Sequence, residues 1–199
     1  MDIIVYILLG ATSVTGLGVV IWRAYMLRWE KVVPTNLAIA ATECQDENDL
    51  ENLRQYCVAE PCPLGRLLLL AIEHRGWPKP DNESAVETAA RHEVVKLERG
   101  LVVLEIIVGI APLLGLVGTI FGMMSVFGDI GQTGLTNMND ASKLAQGISL
   151  ILRTTLIGLL ISIPSLVAWS YFSKKVEVLA VEMETICANF IRKQYVVTE

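Results

Sequence analysis

Three apolar stretches dominate this chain, and each is long enough to cross a bilayer. The first runs from Ile3 to Trp22 without a charge, the second from Leu101 to Phe127 with Glu105 alone, and the third from about Ala145 to Phe172 with Arg153 alone. A helical span needs about 20 predominantly apolar residues. A buried helix of a soluble domain can imitate one such run, but hardly three in 199 residues that are 53% hydrophobic. The expected fold class is therefore all-α and integral to the membrane, with three transmembrane helices.

Charge placement orients the spans. Asp2 precedes the first, and Arg23, Arg28 and Lys31 follow it. A secretory signal has the opposite order, a basic head before a shorter apolar core. The first span is thus expected to be a retained anchor with its N-terminus periplasmic and its basic flank cytoplasmic. Arg91, Lys96 and Arg99 before the second span, and Lys174 and Lys175 after the third, agree with that alternation. The expected organisation is a first span over 1–24, a cytoplasmic helical domain over 25–98, and a second span over 99–127. A periplasmic loop over 128–144, a third span over 145–172 and a cytoplasmic C-terminal helix over 173–199 complete it. The loop carries Asp129, Asp140 and Lys143.

The cytoplasmic segment reads as short helices over Asn36 to Thr42, Leu50 to Tyr56 and Leu64 to Arg75, the last opened by Pro63. A turn at residues 76–80 precedes a polar helix. Ser84 and Glu87 have the spacing of a capping box at its start. No stop separates this helix from the second span, so an unbroken rod is expected through Arg91, Lys96 and Arg99. Beyond Phe172, Val176, Leu179, Met183, Ile186, Phe190 and Ile191 recur at three-to-four spacing with Glu177, Glu182 and Glu184 between them. An acidic face is repelled by anionic lipid, which favours an extension packed on the cytoplasmic domain over a surface helix.

A net charge of −5 and the lack of a basic stripe away from the membrane flanks argue against nucleic acid. Cys44, Cys57, Cys62 and Cys187 all fall on the reducing side and read as small apolar residues. No metal pattern, phosphate-binding loop or nucleophile–base set is evident, so neither a cofactor nor an enzymatic activity is expected.

Small residues inside the spans carry more information. Ala111, Gly115, Gly118 and Gly122 follow one another at steps of four, three and four, a single helix face of the kind that lets backbones approach in lipid. Thr119 lies on an overlapping face. On the third span Thr155, Gly158 and Ser162 align at steps of three and four. Counted from each span's centre, Thr119 and Thr155 lie roughly 6–8 Å toward the outer side. Two readings stand side by side. The hydroxyls face a shared polar path, or each bonds back to a carbonyl of its own helix. Glu105, near the cytoplasmic edge, either lines an aqueous exit or reaches the interface. Arg153 lies about 200° round the helix from Thr155 and is expected at a subunit contact or snorkelling through lipid.

The run Ala111 to Thr119, with Gly122-Met123, Gly147-Ile148, Thr155, Gly158-Leu159 and Ile163-Pro164, resembles the signature of the MotA/TolQ/ExbB proton-channel family. The order of one span, a cytoplasmic domain, two spans and a helical tail is similar to the TolQ/ExbB branch. The resemblance implies a multi-pass protein of the bacterial inner membrane that forms a homopentameric ring around an ExbD/TolR-like single-span partner. Proton flow past an aspartate on that partner would then work a TonB- or TolA-like protein or a motility machine. By the same resemblance Thr119 and Thr155 match pore-lining threonines. Leu150 stands where ExbB and TolQ relatives commonly carry a glutamate. A non-conducting scaffold of the same fold and a small-solute transporter are the rival readings.

Overall fold

The structure, a computed structural model, describes residues 2–44, 46–59, 61–133 and 138–196. These residues form helices α1 (Asp2–Met26), α2 (Trp29–Val32), α3 (Thr35–Glu43), α4 (Glu47–Ala59), α5 (Pro63–Glu73), α6 (Lys79–Glu98), α7 (Leu101–Thr133) and α8 (Met138–Val196). Three of them contain stretches long and apolar enough to cross a membrane: Ile3–Met26, Leu101–Gly128 and a part of α8 beginning at Ala145. The chain divides into two compact units, one of residues 1–22 and 100–171, the other of residues 23–99 and 172–199.

The first unit is an antiparallel set of spans. A methyl placed on Gly118 of α7 would lie 3.1 Å from the Val5 side chain of α1, and one on Gly16 would lie 3.5 Å from Ile107. The start of α1 therefore meets the middle of α7, and its later turns meet the beginning of α7. Between α7 and α8 the opposed pairs are Ala111 with Gly158, Gly115 with Thr155, Gly122 with Ile151 and Val126 with Gly147. As one number rises the other falls, which is the mark of an antiparallel hairpin. Lipid tails are as apolar as leucine, so close van der Waals packing rather than hydrophobic burial has to hold such a pair.

The second unit has a conventional apolar core. Leu37, Leu53, Leu64, Leu67, Leu68, Val86 and Ala90 cluster with Leu179, Met183, Cys187, Phe190 and Ile191 of the distal part of α8. The α8 residues fall at steps of four, four, three and one, so one face of that helix enters the core. Pro63 occupies the first turn of α5, where its missing N–H costs nothing, and the Cys62 sulfur accepts from the Gly65 N–H at 3.2 Å. Arg66 grips the buried Glu93 carboxylate through Nε and Nη2, and Lys96 adds a bond of 2.7 Å. Burial opposes the charged Glu93 side chain, but those donors outweigh it and hold its pKa below the ordinary value. Burial pushes the Cys57 thiol up to about 11 and Cys187 to about 12, which makes both inert packing residues.

Two expectations require correction. The rod through Arg91, Lys96 and Arg99 is broken: α6 ends at Glu98, Arg99 leaves helical geometry with ψ 133°, and Gly100 takes φ +83°. That left-handed conformation is open to glycine at no steric cost. Ser84 is also not the cap of α6, which begins five residues earlier at Lys79 behind Pro78, with Pro80 in the first turn. Prolines there preset φ for helix entry. Helical structure in α7 and α8 also continues past the apolar stretches, to Thr133 and from Met138. The side chains of Asp129, Asp140 and Lys143 lie outside the described residues.

Candidate functional site

The closest approach in the first unit is between backbones. A Cβ on Gly158 would sit 2.6 Å from the Ala111 carbonyl oxygen and 3.3 Å from the Gly115 Cα. One on Gly115 would sit 2.9 Å from the Thr155 Cα and 3.0 Å from the Thr154 carbonyl oxygen. Ala111, Gly115, Gly118 and Gly158 are all buried. At Gly122 the obstacle is the Ile151 side chain, at 2.5 Å, which can turn aside. The small residues thus bring α7 and α8 into direct contact over two helical turns.

Pro112 creates a defect in this seam. Without an N–H it cannot serve the carbonyl four residues earlier, that of Val108. The Ser162 hydroxyl of α8 donates to that same Val108 oxygen at 3.0 Å. A serine on one span therefore satisfies the carbonyl that a proline on the other has orphaned, in a place where water is absent. Ser162→Ala is expected to lower the stability of the full chain in detergent by about 1 kcal/mol, in the range measured for hydrogen bonds between membrane helices. Ser165→Ala should cost less, because the Ser165 hydroxyl only reinforces its own helix at the Ile161 carbonyl, 2.8 Å away. Equal thermal shifts for the two variants would remove this role from Ser162.

The threonines differ from one another. Thr119 donates to the Leu116 carbonyl of its own helix at 2.7 Å and borders an open groove with Ile120, Met123, Met124 and Phe127. Thr155 instead donates across the seam to the Gly115 carbonyl at 3.3 Å. Thr154, which the sequence reading passed over, is buried; it donates to the Ile151 carbonyl at 2.7 Å and lies 3.4 Å from the Gly115 oxygen. Bonds of 3.3–3.4 Å are long for a hydroxyl and correspondingly weak. Among the described residues no hydrogen bond joins Thr119 to Thr155. From the opposed pairs, Thr155 lies level with Gly115, so the two threonines differ in level by about one turn, ~6 Å.

This arrangement fixes what the hydroxyls can do. Both protons are committed to carbonyls, so each oxygen is left with lone pairs and acts as an acceptor. Acceptors suit a hydrated proton, a metal cation or the O–H of a neutral carboxylic acid. Glu105 and Arg153 are both exposed, and neither has an ion pair or hydrogen bond among the described residues. Glu105 belongs to the beginning of α7, whereas Arg153 lies between the Thr155–Gly115 and Ile151–Gly122 levels of the seam, so the two occupy different levels. Leu150 is an exposed apolar residue one helical turn from Thr154.

Fold and seam together define a multi-pass membrane protein whose spans are joined backbone to backbone through glycine, with hydroxyls at the join. The model of the MotA/TolQ/ExbB proton channel family matches residues 62–185, and the chain belongs to that family, in its ExbB-like branch. It is 31% identical over 150 residues to the ExbB-like 1 biopolymer transport protein of Synechocystis sp., covering 74% of this chain and 56% of that protein. It is 38% identical over 84 residues to the biopolymer transport protein ExbB of Helicobacter pylori, covering 42% and 56%. With the biopolymer transport protein exbB1 of Vibrio cholerae it shares 29% identity over 128 residues, covering 64% and 55%. The chain spans a little over half the length of these relatives.

Proposed function

We propose that this chain is a ring-forming subunit of a proton-driven motor in the bacterial inner membrane, energising outer-membrane transport, envelope maintenance or motility. The observation that carries the reading is the pair of acceptor hydroxyls, Thr119 and Thr155, about one helical turn apart in level on the α7–α8 hairpin, with no carboxylate bonded to them among the described residues. The titrating acid would come from a single-span partner of the ExbD/TolR type, enclosed by a homo-oligomer, most simply a pentamer. A TonB- or TolA-like protein would take up the motion. The acid, when protonated, donates to a threonine oxygen. It ionises by passing that proton to a water held at the same oxygens, which becomes hydronium, and the carboxylate later regains a proton from hydronium. A charge at that depth is tolerated only while paired or hydrated, and the acceptor oxygens stabilise the hydrated proton beside the carboxylate.

Thr155→Val keeps the volume and removes the acceptor. In cells that depend on this protein, it is expected to reduce ion-coupled activity by about tenfold or more, the cost of roughly one strong hydrogen bond to a charged group. Thr119→Val should act in the same direction, and Thr155→Ser should restore activity. The protein level and thermal stability should stay near those of the parent chain, because the Gly115 bond of Thr155 is weak. Undiminished activity in both valine variants would refute an ion path along these hydroxyls. The second reading, a non-conducting scaffold of the same fold, is favoured by the apolar Leu150 and predicts that result.

A further inference from the structure

The cation inside the third span is unexplained by the seam. Arg153 lies about 100° and 200° round α8 from Thr154 and Thr155, which meet α7, is exposed, and meets no acid among the described residues. It also terminates a polar line on the same helix. Ser142, Gln146, Ser149 and Arg153 succeed one another at steps of four, three and four, and all are exposed. That spacing is one helix face. Around its inner end the surface is apolar: Ala145, Ile148, Leu152 and Leu156 border a shallow groove that Ser149 and Arg153 share.

The apolar stretch of α8 begins at Ala145. If a hydrocarbon core ~30 Å thick is centred on residues 145–172, Arg153 lies ~7 Å below its edge and Ser149 close to that edge. Side chains on a helix lean toward its N-terminus, so Arg153 extends over Ser149, toward the α7–α8 connection and the nearer interface. A guanidinium left bare at this depth is costly. It needs an anion, and its planar fork matches a phosphate.

We propose that Arg153 and Ser149 form a binding site for the phosphate of a membrane phospholipid in the leaflet on the side of the α7–α8 connection. The headgroup lies along Gln146 and Ser142, and an acyl chain descends over Leu152 and Leu156. A line of donors that enters from the interface, ends on a cation and gives way to an apolar trough follows the polarity of an amphiphile. A carboxylate from a second copy is the less suited occupant. Glu105 lies at the other end of the hairpin, and Asp2, Asp129 and Asp140, the acids toward this side, fall outside the apolar stretches rather than at the depth of Arg153. A single carboxylate also leaves the remaining donors without a use. The site is independent of the motor reading, since it needs neither a ring nor ion flow.

The test is native mass spectrometry of the full-length protein in mild detergent, titrated with phosphatidylglycerol. The parent chain should retain about one lipid per subunit. Arg153→Gln should weaken that binding by about tenfold, as expected for loss of a charge-assisted pair, and Ser149→Ala by about threefold. Removing a charge from a span does not hinder insertion, and Ser149→Ala leaves the arginine in place, so at least one variant remains readable. Unchanged lipid retention in Arg153→Gln would overturn the site. So would loss of the oligomer in Arg153→Gln reproduced by Asp2→Asn with lipid retention intact, which would assign Arg153 to a contact between copies.

Discussion

Gly158→Ala is expected to destabilise the α7–α8 hairpin by about 3 kcal/mol, the upper part of the usual range for overpacking. The added methyl would lie 2.6 Å from the Ala111 carbonyl oxygen, and the obstacle is backbone rather than a movable side chain. Relief requires the helices to part, which would lengthen the Ser162–Val108 bond and remove Thr155 from the Gly115 carbonyl. Helix propensity acts the other way, since alanine is better than glycine in a helix interior by about 1 kcal/mol. The sign of the result therefore decides between propensity and packing. Gly109→Ala is the control, because nothing lies within 4 Å of a Cβ at that position. It should be neutral or slightly stabilising. Thermal unfolding of the two variants in the same detergent checks the contrast, and a Gly158→Ala protein as stable as the parent chain would refute the close approach.

The second large effect is expected in the other unit. Leu179→Ala should cost about 3 kcal/mol, because Leu179 is 0% exposed and sits among Leu and Val side chains that have already filled the space around it. Val181→Ala, at a position 57% exposed, should change stability by less than about 0.5 kcal/mol. Hydrogen exchange of the full-length protein gives the readout. Leu179→Ala should speed exchange in α5 and α6, whose Leu64, Leu67, Leu68 and Val86 share the core with it. Equal exchange in the two variants would place the distal part of α8 outside that core.

Much of this was legible because membrane helices expose their logic in composition. Three apolar runs, and small residues at helical spacing on two of them, needed no tertiary information. What escaped was decided by single backbone angles or by a choice between adjacent faces. Gly100 breaks the chain between α6 and α7, yet an isolated glycine inside a helical pattern is ordinarily tolerated, and only its φ reveals the break. Ser84 and Glu87 offered a capping box, but Pro78 and Pro80 start the helix earlier through fixed φ, which a hydrogen-bonding pattern does not report. Thr154 and Thr155 are about 100° apart, and each fits a spacing of three or four to Gly158. The line Thr154, Gly158, Ser162 and Ser165 at steps of four, four and three was the available signal for the buried hydroxyl. The role of Ser162 was readable in principle: a proline on one span names its orphaned carbonyl, though not the partner that reaches it.

The contact at Gly158 also limits how this hairpin can deform. Sliding α8 along α7 by one helical turn would carry Thr154 or Ser162 into the gap beside the Ala111 carbonyl, where even a methyl has no room. Shear of that size along the seam is thereby forbidden. The two spans can only tilt or turn together, like one stave of a barrel.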